Sequence, residues 1–151
     1  MSHQNPFKTG KIESMAEGET VTKFLMIWLI CTVIFLVIDL VWLGMVAKPF
    51  YQRSIGHLMA DEFRMGAAFL FYVFYVVGIV YFCVSGAADW KAAAISGALF
   101  GFFCYATYDM TNYATLRDWP LQMVIVDIVW GTVLTASTAG FGFTVAKKLL
   151  G

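Results

Sequence analysis

Charge is what this sequence has least of: 13% of its residues are Asp, Glu, Lys or Arg, where soluble domains carry roughly 25%. Ten basic residues balance ten acidic ones, so no cationic excess exists to hold a phosphate backbone, and a nucleic-acid partner is excluded. Cysteine is scarce as well. Cys31, Cys83 and Cys104 fall singly in three different apolar runs, without C-x-x-C spacing or paired histidines, so no zinc or redox motif is present. They read as small buried hydrophobes. No phosphate loop, nucleophile motif or D-x-x-D metal pair occurs, and therefore no metal ligand set and no cofactor can be assigned.

In place of charge the chain has apolar length, with 60% hydrophobic and 17% aromatic residues. This apolar content falls into four runs, each close to the roughly 20 residues that a helix needs to cross a bilayer. The predicted architecture is an all-α integral membrane protein, a bundle of four transmembrane helices over about 23–47, 65–88, 91–115 and 119–147, with both termini on the same side. Residues 1–22 are polar and lack an apolar period, so they are expected to form a mobile tail outside the membrane domain of residues 23–149. No cleavable signal peptide is expected, because the polar lead is long and the run after it is of full spanning length without a small-residue cleavage pattern.

Run one ends at Lys48-Pro49, where proline is expected to stop the helix, and the polar segment from Phe50 to Arg64 is expected to form a short interfacial helix between helices 1 and 2. Run two has no charge and is crowded with aromatics, which read as lipid-facing and packing residues. In run three, Gly97 and Gly101 have the small-xxx-small spacing that lets helix backbones approach closely. Steps of 4, 4 and 3 residues carry that face on to Tyr105, Asp109 and Asn112. On run four, Asp127, Gly131, Thr135, Thr138 and Gly142 make a small and polar seam, and Asp118 is the expected N-cap before Pro120.

Three runs therefore carry one aspartate each. Asp39 lies eight residues before Ala47, Asp109 six before Thr115 and Asp127 seven after Pro120, which places all three roughly 10 Å inside the same face at 1.5 Å per residue. A charged Asp at the bilayer centre costs about 3 kcal/mol on insertion scales, so such residues face a bundle interior or a wet cavity. Thr32, Thr111 and Asn112 are the expected partners if the acids merely tie helices together. The candidate binding cavity consists of Asp39, Trp42, Tyr105, Tyr108, Asp109, Asn112, Asp127 and Trp130. The default role of the two tryptophans is interface anchoring.

Several short motifs follow one another in a set order: Asp39-Leu-Val-Trp-Leu-Gly44, Tyr51 with Gly56-His57, Phe71-Tyr72 to Gly78, Tyr105-Ala-Thr-Tyr-Asp-Met-Thr-Asn112, Ala114-Thr115-Leu116, Trp119-Pro120 and Asp127-Ile-Val-Trp-Gly131. Together they resemble a family of small bacterial membrane proteins known only as a domain of unknown function, over Phe24 to Ala146. Met110 stands where that family has leucine. The resemblance implies a bacterial multi-pass membrane protein and carries no activity, substrate or cofactor with it.

Basic residues near the helix ends favour the side bearing both termini and Lys91, so the termini are expected in the cytoplasm, in the bacterial inner membrane. The expected partners are the lipid bilayer and further copies of the chain in a homo-oligomer. Three functions are open at this level. One is transport of a small solute, cation or proton through the acidic and aromatic cavity; another is a membrane enzyme acting on a lipid or isoprenoid-like substrate; the third is a structural or assembly subunit.

Overall fold

The computed structural model describes residues 6–151, with side chains from Gly18 onward. Every regular element among the described residues is helical. Helix α1 spans Pro6–Trp42, a π-helical turn at Leu43–Ala47 joins it to α2 at Lys48–Ile55, and a 3-10 turn follows at Gly56–Leu58. Helix α3 covers Met65–Ile79 and runs into a second π turn at Val80–Val84, α4 covers Trp90–Thr115, and α5 covers Leu121–Leu150. Residues 1–5 and the side chains of residues 6–17, part of the segment expected as a tail, lie outside the described residues. The backbone is helical from Pro6.

Three stretches, Gly18–Leu58, Met65–Val84 and Leu121–Leu150, are long and apolar enough to cross a membrane. Helix α4 has 26 residues, but its two glycines, its hydroxyl-bearing residues and Asp109 dilute its apolar character. The distribution of polarity is that of a membrane protein. On α1, Leu25, Leu29, Val33, Val37 and Leu40 face outward, while Ile27, Cys31, Phe35 and Asp39 recur every four residues on the buried side. Buried polar residues, including Asp109, Thr135 and Thr138, sit inside an apolar sheath.

Two expectations about chain breaks need correction. The helix does not stop at Lys48-Pro49; it passes through Pro49 into α2, with the backbone N–H of Lys48 donating to the Leu43 carbonyl across the π turn. Proline lacks an N–H and its ring crowds the carbonyl of the preceding turn. The wider π turn just before Pro49 relaxes both constraints by shifting the hydrogen-bond ladder by one residue. Helix α2 then docks on the start of α5, packing Phe50, Tyr51 and Ile55 against Trp119, Met123, Val124 and Ile128. Nor does Asp118 cap α5. It adopts a left-handed conformation (φ 60°) in the turn, and the helix opens directly after Pro120. A true side-chain cap exists at α4, where Asp89 accepts from the Ala92 N–H at 2.8 Å.

Neighbouring helices run antiparallel, as the residue pairs show. Rising numbers on α4 meet falling numbers on α5: Ala94 lies at Gly140, Gly97 at Thr135 and Ala139, Gly101 at Gly131 and Thr135. A methyl group on Gly97 would lie 2.7 Å from the Thr135 carbonyl oxygen, and one on Gly101 would collide with the Gly131 carbonyl. Only glycine permits this backbone approach. Thr135, Thr138 and Thr144 satisfy their hydroxyls within α5 by donating to carbonyls one turn back. Helix α1 joins the other side of α5, with Cys31 against Gly142. Helix α4 packs on the π turn that ends α3, whereas the rest of α3 touches α4 sparsely.

Candidate functional site

All three aspartates lie toward one end of the bundle and all are buried, Asp109 completely. Asp39 comes from the last turns of α1, Asp109 from the last turns of α4 and Asp127 from the second turn of α5. Their partners are tyrosines. The Tyr72 hydroxyl on α3 donates to Asp39 Oδ2 at 2.7 Å, and the Tyr51 hydroxyl on α2 donates to Asp127 Oδ1 at 2.5 Å. The threonines and the amide expected in this role do not take it: Thr32 donates to the Trp28 carbonyl within its own helix, and Thr111 is exposed.

The π turn is what brings Tyr51 to the site. At about 100° per residue, twelve steps along a regular helix would leave Tyr51 about 120° away from Asp39 around the axis. One residue absorbed by the π bulge makes that roughly eleven effective steps, or about 20°. Asp39 and Tyr51 therefore share a face, and both look toward α5.

The two Asp-x-x-Trp motifs sit on antiparallel helices and meet through their rings. Trp42 and Trp130 stack with centroids 4.3 Å apart and planes 11° from parallel. Trp130 stands beside Asp39, and Trp42 beside the Tyr51 hydroxyl, so each tryptophan reaches across to the other helix's acid or its partner. These rings are packing elements of the site as well as of the helix pair. The Trp42 indole N–H is buried without a hydrogen bond.

Tyr105 is wedged at the centre. A methyl group placed on Gly131 would fall among the Tyr105 ring carbons, so the ring occupies the room that glycine leaves on α5. It meets Tyr75 edge to face with centroids 6.2 Å apart, and Tyr75 is itself anchored to the Thr135 hydroxyl at 2.8 Å. Both Asp39 and Asp127 lie within electrostatic range of Tyr105. Tyr108 is exposed and packs edge to face on Trp119, and Asn112 lies beside Tyr108 rather than among the acids.

Asp109 differs from the other two. Both of its carboxylate oxygens are buried without a hydrogen-bond partner, and so is the neighbouring Trp119 indole nitrogen. Asp127 lies within electrostatic range of Asp109. A buried unpaired carboxylate is expensive in its charged form and is held far more readily as the neutral acid or beside a mobile cation. The three acids share an end of the bundle without meeting at one point, and among the described residues no three His, Cys, Asp or Glu side chains form a group able to hold a metal ion.

Beside Asp127 lies a pocket of about 350 Å³ between α3, α4 and α5, lined by Phe71, Tyr75, Cys104, Tyr105, Tyr108 and Asp127. It occupies the gap where α3 and α4 part. A larger hollow, about 500 Å³, lies against the opposite half of α4 and α5 and contains no ionisable side chain. Of the residues expected to form the cavity, Asp127, Tyr105 and Tyr108 line this pocket, while Asp39, Trp42, Asp109, Asn112 and Trp130 do not. Tyr51, Tyr72 and Tyr75 were missing from the expectation. A signal for the last two existed: they are hydroxyl-bearing aromatics three residues apart in a run without charge, and both turn inward while Phe69 and Phe74 face out.

No curated protein and no solved structure matches the chain. A family model described as "Predicted membrane protein (DUF2177)" matches residues 24–144, a span that takes in all three aspartates, both Asp-x-x-Trp motifs and every pocket residue. The chain belongs to the DUF2177 family of predicted membrane proteins.

Proposed function

We propose that this protein crosses the bacterial inner membrane four times, with both termini in the cytoplasm, and carries a small solute, cation or proton by way of its buried acids. The alternating direction of α1, α3, α4 and α5 and the bias of basic residues toward the termini support the topology. The observation that carries the functional reading is Asp109. Neither oxygen of this fully buried carboxylate is within hydrogen-bond distance of a donor, the nearest donor being the Trp119 indole N–H beside it, and it sits within range of a second acid that faces a pocket. Ionisable groups of this kind inside a bilayer belong to proton relays and ion paths. Two acids in each other's field bind protons in coupled steps, so gain of a cation at one favours proton loss at the other.

The transporting unit is a homo-oligomer in this proposal, because four helices are few for an alternating-access machine built from repeats. The test is flux in liposomes loaded with a pH-sensitive dye. Wild type dissipates an imposed proton or cation gradient, and Asp109→Asn and Asp127→Asn each slow it at least about tenfold, the order of effect expected when a proton-transfer group is lost. Equal flux in wild type and both variants ends the transport reading.

A further inference from the structure

The pocket beside Asp127 has a composition that selects among ligands, and this inference rests on the transport reading for its biological sense. Its walls are four aromatic rings, those of Phe71, Tyr75, Tyr105 and Tyr108, with the Cys104 side chain and one carboxylate. No lysine, arginine or histidine lines it. The carboxylate is held in place: Asp127 Oδ1 accepts from Tyr51, and the residue lines the pocket. Asp127 as a whole is 7% exposed.

The rings are fixed as firmly. Phe71 and Tyr75 stack with centroids 5.4 Å apart and planes 28° from parallel, Tyr75 is tied to Thr135, and Tyr105 is wedged against Gly131. Phe71 and Tyr108 are 45% and 57% exposed on the outer surface of the helices, at the rim. In a bilayer that rim faces lipid. An aromatic wall around a carboxylate without a protein cation beside it is suited to a positive charge, since ring faces are negative and attract ammonium groups within about 6 Å of their centres. A phosphate or carboxylate ligand would meet like charge and find no basic donor.

We infer that this pocket binds an organic ammonium ion carrying an apolar group, with the ammonium between Asp127 and the aromatic rings and the apolar part toward the Phe71 and Tyr108 rim. A volume of about 350 Å³ suits a small ligand of this class, near the lower end of the roughly 300–1,000 Å³ typical of small-molecule sites. An inorganic cation would leave the aromatic lining unused.

The test uses the full chain in nanodiscs of zwitterionic lipid, with radiolabelled benzyltrimethylammonium as the probe and phenylmethanesulfonate as its anionic counterpart. Saturable binding of the ammonium and not of the sulfonate is expected. Asp127→Asn, which keeps an acceptor for Tyr51, should weaken it at least about tenfold, the loss of one charged contact. Phe71→Ala, at the exposed rim where folding is little affected, should weaken it about threefold to tenfold. Absence of saturable ammonium binding to the wild type overturns the inference, as does equal binding of the sulfonate or indifference to both substitutions. Flux that needs Asp109 in a protein without ammonium binding overturns this inference and leaves the transport reading standing. Binding of the stated pattern in a protein that moves neither protons nor solute supports the inference and removes the transport reading.

Discussion

Replacing Gly131 by alanine tests whether the α4–α5 seam sets the position of Tyr105. In the native packing the added methyl group would overlap Cγ, Cδ2 and Cε2 of the Tyr105 ring, closer than carbon atoms approach. Three responses are open: the ring swings, α5 shifts, or both. The ring is hindered by Tyr75, which is itself fixed to Thr135, and the helix is hindered by Gly101, whose own room is taken by the Gly131 carbonyl and the Thr135 side chain. Overpacking of this kind costs about 1–3 kcal/mol. For a chain of this size, that is a fall of roughly 2–12 °C in the melting midpoint, at about 2–4 °C per kcal/mol.

The measurement is thermal unfolding of the detergent-solubilised protein followed by tryptophan fluorescence, with Gly66→Ala as the control. Gly66 lies in the first turn of α3 with nothing within 4 Å of an added methyl group, so alanine there should be neutral or stabilising by up to about 1 kcal/mol. A double-mutant cycle then isolates the cause. If the ring is the obstacle, Gly131→Ala costs less in a Tyr105→Ala background, with a coupling of about 0.5–3 kcal/mol. A Gly131→Ala protein as stable as Gly66→Ala, or equal costs in both backgrounds, would refute the claim that Tyr105 is seated by this glycine.

Two further outcomes follow from the acids and the cap. Asp109→Leu should leave the protein as stable as wild type or raise its stability by about 1 kcal/mol, because an apolar side chain replaces two buried oxygens that have no partner; a large loss of stability in the same fluorescence assay would mean that the carboxylate has structural partners. Asp89→Ala removes the hydrogen bond to the Ala92 N–H at the far end of α4 and should cost about 0.5–2 kcal/mol, while ammonium binding at the Asp127 pocket stays within twofold of wild type; a larger change in binding would show that the two ends of α4 are coupled.

The apolar runs alone make the chain a helical membrane protein, because a backbone in lipid must satisfy its hydrogen bonds within each segment. Helical periodicity alone also places the Gly97, Gly101, Tyr105 and Asp109 face and the Asp127, Gly131, Thr135, Thr138 and Gly142 seam, all of which are buried or, for Tyr105, half-buried. These features are local: they depend only on residue spacing within one helix and on the small size of glycine. The partners of the acids are not local. Tyr72 reaches Asp39 across 33 residues and Tyr51 reaches Asp127 across 76, and both pairings depend on how each helix is rotated about its axis.

That rotation is where spacing ceases to inform. The π turn at Leu43–Ala47 displaces every later residue by one position, and the helix continues through a proline that a regular ladder would reject. The splay of α3 from α4 that opens the pocket, and the burial of Asp109 beside Trp119, likewise arise from how four helices share one volume. Sequence alone determined that three apolar runs of a helical membrane protein carry one aspartate each. Only the tertiary structure decided that two of these aspartates are held by tyrosines, that one faces an aromatic pocket, and that the third is buried beside the Trp119 indole without a hydrogen bond to a tyrosine, since each of these depends on which side chains from distant helices come into contact.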